Sequence, residues 1–213
     1  MQKLAVTVFI VLACVLAVLA ARHFFFRYKP LTPDQSTALR TIGKPDMPVW
    51  IVEYFDYQCV PCGRASELID ELLKKYPSRI YFQTRFFPLQ NHPYAFDAAL
   101  YAECASEQGK FWEFHKSLFS NQSEWSHSQT YEFKSYFEKY VKGVGLDPKR
   151  MESCVQNEHT SGLIRQEIET AKSMGISSTP TFYINGQMVV GIPALEEVLS
   201  RLVVPETTPE TTT

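Results

Sequence analysis

The spacing of apolar positions changes five times along the main part of this chain, and each change marks a new kind of element. Val49 to Phe55 (VWIVEYF) is apolar on both alternate faces: Trp50, Val52 and Tyr54 on one, Val49, Ile51, Glu53 and Phe55 on the other. A strand covered on both sides has this pattern. After Cys59-Val60-Pro61-Cys62, the residues Ala65, Leu68, Ile69, Leu72 and Leu73 recur at three and four, which predicts an amphipathic helix ending near Pro77. Residues 79–87 (RIYFQTRFF) return to β-formers and predict a second strand. Helical periodicity then holds for 94–107, 109–119, 130–144 and 148–174, with breaks at Asn121, at Gly143 to Gly145 and at Asp147-Pro148. Thr181 onward (TFYI), Asn185-Gly186 and QMVVG predict a hairpin, because Asn-Gly suits a two-residue turn. Residues 193–203 supply a last helix through Leu195, Val198, Leu199 and Leu202.

The ends differ from this middle. Leu4 to Ala21 is 18 residues without a charge, longer than a signal-peptide core and just short of a full membrane span. Residues 1–26 are therefore expected to be a signal peptide or a transmembrane anchor, the anchor being preferred for the length of the run. Cys14 falls inside it, and the apolar residues that follow argue against a lipid-bearing cysteine. Residues 27–47 read as a linker with a short strand or turn at its end, 48–203 as the main domain, and 204–213 as a disordered low-complexity tail. With 213 residues and a net charge of -2, the chain supports one core plus an appendage and gives no reason to expect a nucleic-acid partner.

The chemistry lies where the first strand meets the first helix. Cys59 at a helix N-terminus faces unpaired N–H groups and the positive end of the macrodipole, so its thiolate is favoured. Pro61 fits a first turn that does not need its N–H, and Cys62, one turn on, is the more buried, resolving thiol. A zinc site would require a second pair of comparable spacing, whereas Cys14, Cys104 and Cys154 stand alone. No metal is expected. Cys104 and Cys154 lie on two predicted helices; they either form a structural disulfide closing a loop of about 50 residues or remain two buried thiols.

Four separated blocks resemble the DsbA-like thiol:disulfide oxidoreductases of the thioredoxin superfamily. They are EYFDYQCVPC at 53–62, Phe87-Pro88-Leu89 through His92-Pro93, Cys104 through QGKFWEFH at 108–115, and GISSTPTFYING at 175–186. Together they cover about residues 45–203. The resemblance implies an α/β thioredoxin fold with an inserted helical domain at about 92–174, preceded by the N-terminal membrane segment. It also implies a cis Thr179-Pro180 bond beside the redox pair, with Thr179, Pro180, Val60 and Pro61 touching substrate. Glu53 takes the place of a buried acid beneath the disulfide; a carboxyl in an apolar strand is costly unless it stays protonated, so a raised pKa and proton transfer with Cys62 follow. Asp56 has no assigned role. His92 and His115 are expected to be structural.

Trp112, Phe114, Trp125, Tyr131, Phe133, Tyr136 and Phe137 are expected mainly in the core, some of them lining a groove near Cys59. DsbA itself has Pro-His between its cysteines, and Val60-Pro61 lacks that donor. The implied activity is a dithiol oxidase that introduces disulfides into exported unfolded proteins through Cys59-Cys62, with no cofactor beyond that disulfide. An isomerase or reductase of the same fold, or a redox-inactive binding module, are the alternatives. The implied setting is extracytoplasmic, anchored to the cytoplasmic membrane, with a quinone-linked membrane partner of DsbB or vitamin K epoxide reductase type.

Overall fold

In the computed structural model, which describes residues 39–128 and 130–202, the chain enters through a turn at Leu39-Arg40 and a two-residue strand, β1 (Thr41–Ile42). β2 (Val49–Phe55) and β3 (Ile80–Phe86) pair in parallel, joined by helix α1 (Val60–Lys75). β4 (Thr181–Ile184) runs antiparallel to β2, and β5 (Gln187–Val190) antiparallel to β4. The sheet is mixed, in the order β1-β3-β2-β4-β5. β2 therefore lies at its centre, as its two apolar faces require.

Between β3 and β4 the chain forms α2 (Ala95–Glu107), α3 (Phe111–Ser120), α4 (Gln122–Trp125), α5 (Thr130–Val144), α6 (Pro148–Val155) and α7 (Glu158–Ser173); α8 (Ile192–Leu202) closes the fold. The expected single helix over 148–174 is two. Asn157 takes extended backbone geometry and its side chain accepts from the His159 N–H, so it caps a new helix where periodicity alone reads through. Asn185 (φ 48) and Gly186 (φ 86) form the predicted turn, both in the left-handed region that a two-residue hairpin of this type needs.

Two apolar clusters pack against the sheet side by side along β2 and β3. One packs Val49, Ile51, Ile80 and Phe82 under Ala65 and Ile69 of α1 and Leu195 and Leu199 of α8. The other holds Phe55, Phe86 and the insertion's aromatics, including Trp125, Phe133 and Phe137, whose rings meet at 4.2 to 6.1 Å. The expected aromatic core is thus present among the described side chains, with Trp112 packed against both clusters. Cys104 and Cys154 are bonded, joining α2 to α6 across 50 residues of sequence. The unfolded chain loses freedom by that closure, a contribution of about 2 to 4 kcal/mol.

The short strand or turn expected at the end of the 27–47 segment is present as β1, and Arg40 beside it is buried where a linker residue would be solvated. Arg40 is 1% exposed and pairs Nη2 to Glu167 Oε1 at 2.6 Å and Nε to Glu103 Oε2 at 3.1 Å, with its guanidinium 4.2 Å from the Phe86 ring centroid. A charged residue reads as solvated linker until its partners, 63 and 127 residues away, are known. Glu167 also accepts the Phe86 N–H at 2.7 Å, so the cluster staples α2 and α7 to β3. Arg40→Ala is expected to cost about 3 to 5 kcal/mol by leaving buried carboxyls without their cation. Burial already holds the Glu103 carboxyl up at about 7, against the pull of Arg40. Without the guanidinium Glu103 keeps its proton to higher pH, so urea unfolding should show a smaller loss at pH 5 than at pH 8.

No helix among the described residues is long and apolar enough to cross a membrane. The expected membrane or signal segment at 1–26, Cys14 and the tail at 204–213 lie outside the described residues.

Candidate active site

β2 ends at Phe55, and four residues later Cys59 is the N-cap of α1 (φ -72, ψ 111), with Val60 and Pro61 opening the first turn. The Cys59 carbonyl accepts from the N–H groups of Cys62 (3.0 Å) and Gly63 (3.3 Å), as a first helical acceptor does. No acidic residue sits in that turn to oppose a negative sulfur. Both cysteines are thiols; Cys59 keeps 6% of its surface exposed and Cys62 none. Val60 is 55% exposed beside them, and Cys59 Sγ stands 3.4 Å from the Thr179 carbonyl oxygen. The Thr179-Pro180 bond is cis, as the resemblance implies, and Thr179 and Pro180 share a groove with Pro61.

The two sulfurs are set apart electrostatically. A hydrogen bond from the Cys62 side chain, more than any other cause, lowers the Cys59 thiol to about 7, while burial pulls the other way. Burial, with the neighbouring Cys59 charge adding to it, raises Cys62 well above its ordinary value. Cys59 is therefore the group that ionises, and Cys62 the group that keeps its proton. Glu53 is 2% exposed on the β2 face it shares with Ile51 and Phe55. Burial and then the Cys59 charge push its carboxyl up to about 8. It therefore holds its proton to higher pH than an exposed carboxyl does.

Sequence reasoning missed how the loop before Cys59 is held. Buried Asp56 accepts from the N–H groups of Gln58 (2.6 Å) and Leu89 (2.8 Å) and meets His92 Nδ1 at 2.7 Å. Gln58 reaches the Tyr94 N–H and the Ser126 carbonyl, and Gln122 donates to the carbonyls of Tyr57 (2.7 Å) and Cys59 (3.0 Å). His115 lies between Tyr57 Oη and Ser66 Oγ at 3.1 and 3.2 Å, and burial lowers it to about 3, so it is neutral and structural. Only the quoted blocks hinted at His92 and His115. Nothing in the pattern of the chain marks Gln122. Gln122→Ala is expected to cost about 1 to 2 kcal/mol in unfolding free energy, because two loop carbonyls lose their donor. The loosened loop should also move the Cys59 alkylation midpoint upward from about 7.

A family model described as thioredoxin matches residues 35–202. The chain belongs to the thioredoxin family. This thioredoxin-family chain superposes on Wolbachia pipientis alpha-DsbA1 with a TM-score of 0.68 at 20% identity, over 81% of this chain and 94% of that one. For Bacillus subtilis BdbD in its oxidised form the TM-score is 0.65 at 21% identity, covering 79% and 94%. The fold is thus that of the DsbA-like thiol-disulfide oxidoreductases, as the sequence blocks imply. In sequence it is 35% identical over 162 residues to the Na(+)/H(+) antiporter NhaA 1 of Mycobacterium sp. (strain KMS), which is 75% of this chain and 25% of that protein. The chain spans about a quarter of the length of the curated relatives it matches.

Proposed function

We propose that this chain is a thiol:disulfide oxidoreductase whose Cys59-Cys62 pair oxidises dithiols in exported proteins. A substrate thiolate attacks Cys59 Sγ of the disulfide form, an S–S bond forms between them, and Cys62 leaves as thiolate and takes a proton. A second substrate thiolate then attacks the substrate sulfur of the mixed disulfide and releases Cys59. The substrate has lost two electrons and two protons, and the pair has gained them. The observation that carries this reading is the unequal pair: Cys59, its pKa lowered to about 7 at a helix N-terminus, and Cys62, buried and raised. A stabilised thiolate stabilises the reduced form and makes the disulfide the better oxidant.

The bonded Cys104 and Cys154 support an oxidising compartment, and the run at Leu4 to Ala21 supports a tether to the cytoplasmic membrane on its outer side. Reoxidation falls to a membrane partner that accepts two electrons, of the quinone-linked DsbB or vitamin K epoxide reductase type, and the chain itself requires no further cofactor.

A second reading has its own observation. A thiol at about 7 matches thioredoxin more nearly than DsbA, and Val60-Pro61 adds no donor, which favours a reductase or isomerase. Equilibration of the pair with glutathione separates them. An oxidase is expected above roughly -180 mV, and a value below roughly -230 mV assigns the reductive role instead. Absence of any exchange with glutathione overturns both.

A further inference from the structure

From the redox end, a groove runs along the seam between α1 and α8. Its first part, about 670 Å³, begins at Pro61 and Pro180 and is floored by Leu68 and Ile192. A second hollow of about 270 Å³ continues it past Leu72 to Lys75 and Tyr76, sharing Leu68 and Glu196 with the first. α1 is 16 residues long, or ~24 Å, which is the reach of about seven residues of extended chain. The apolar floor suits alternate side chains of such a segment.

The walls carry a definite charge pattern. Arg64 stands nearest the cysteines, and Lys75 lies at the far end with its ammonium 5.3 Å from the Tyr76 ring centroid. Between them are Glu67 and Glu71, one turn apart on α1, and Glu196 on α8, all exposed. None of the three forms an ion pair with another described residue, unlike Glu197 with Arg201 or Glu169 with Lys172. Along the helix axis Glu67 and Glu71 lie ~12 and ~18 Å from Cys59, about three to five residues of an extended peptide.

We infer that this groove binds an extended segment of the thiol substrate, apolar beside the reacting cysteine and basic three to five residues from it. This rests on Cys59 being the sulfur that substrates attack. The chain's own tail is a poor occupant, since 203–213 carries Glu206 and Glu210 and no basic residue. The selectivity is electrostatic and exposed, so it is modest and sensitive to salt. Two lysines placed at the acidic stretch should give about a three- to tenfold preference at low ionic strength.

The test uses the full chain and two peptides of equal length and apolar content, one with lysines and one with glutamates at the third to fifth positions from a central residue. With serine at the centre, fluorescence anisotropy reads docking without redox chemistry. The lysine peptide should bind about three- to tenfold tighter at low salt. Half-molar salt, or Glu67→Gln, Glu71→Gln and Glu196→Gln together, should bring the ratio near one. Equal binding of the two peptides, or a preference that survives the triple substitution, overturns the inference. Tighter lysine-peptide binding after removal of 203–213 makes the tail the occupant, and self-association lost in the triple variant makes it a second copy; either outcome overturns the inference. With cysteine at the centre, the rate of mixed-disulfide formation should follow the same order. Dithiothreitol, which is uncharged, tests the redox reading separately: failure of the disulfide form to oxidise it sinks that reading whatever the docking result.

Discussion

Cys62→Ala should accumulate mixed disulfides through Cys59, while Cys59→Ala should form none. In the first variant the attacked sulfur remains at the mouth of the groove, but the thiol that displaces a captured partner is gone. Because Cys62 is fully buried, an outside thiol cannot take its place at a comparable rate. Release of a trapped monothiol partner should slow by about a thousandfold or more, an effective-concentration loss at the lower end of what positioned groups supply. Non-reducing electrophoresis of the variant, its Cys59 first capped with glutathione as a mixed disulfide, reads the outcome directly after exposure to a reduced, unfolded protein, whose thiolate attacks Cys59 Sγ as glutathione leaves. A Cys62→Ala chain that stays free of adducts would return the site to a binding role.

Glu53→Gln should slow resolution of those mixed disulfides by about a hundredfold or more at neutral pH, the lower range for a positioned acid or base. It should also change stability in a way set by sign. The carboxyl stays protonated in the folded chain up to about 8 but ionises near 4.5 when unfolded. Between those values the folded state holds the extra proton, so stability falls as pH rises from about 4.5 to 8. The full penalty above pH 8 has an upper limit on the order of 5 kcal/mol, since each unit of displacement is worth about 1.4 kcal/mol. Glutamine removes that dependence, so the variant should gain on wild type progressively between pH 5 and 8.5 in denaturant titrations. The Cys59 charge is one cause of the displacement, and the effect should shrink in the disulfide form, where that charge cannot form. Equal pH slopes in both chains would remove Glu53 from the proton pathway.

Much of this was legible in the sequence because its signals are local. The double-faced run at 49–55, the cysteines at the strand-to-helix junction and Asn185-Gly186 each specify their structure within a few residues. The blocks around Thr179-Pro180 and Cys104 carried what spacing could not. What escaped was decided by partners far along the chain. Arg40 looked like linker because Glu103 and Glu167 belong to other helices. Gln122 carried no signal because the two carbonyls it serves lie more than 60 residues upstream. The division of 148–174 hinges on one capping asparagine inside an otherwise periodic run.

The bond between Cys104 and Cys154 also bears on how the protein's thiols are counted. Exposure is small at both pairs, 0% and 8% here against 6% and 0% at the redox pair, and what separates them is the Cys59 thiolate, favoured at about 7, which makes its disulfide the easier to reduce. A mild reductant acting on the folded oxidised chain should therefore release two thiols from the described residues and then stop. The other two appear only on unfolding. The crosslink serves as an internal reference for every such assay: a third or fourth thiol reports a broken molecule, not a more reduced one.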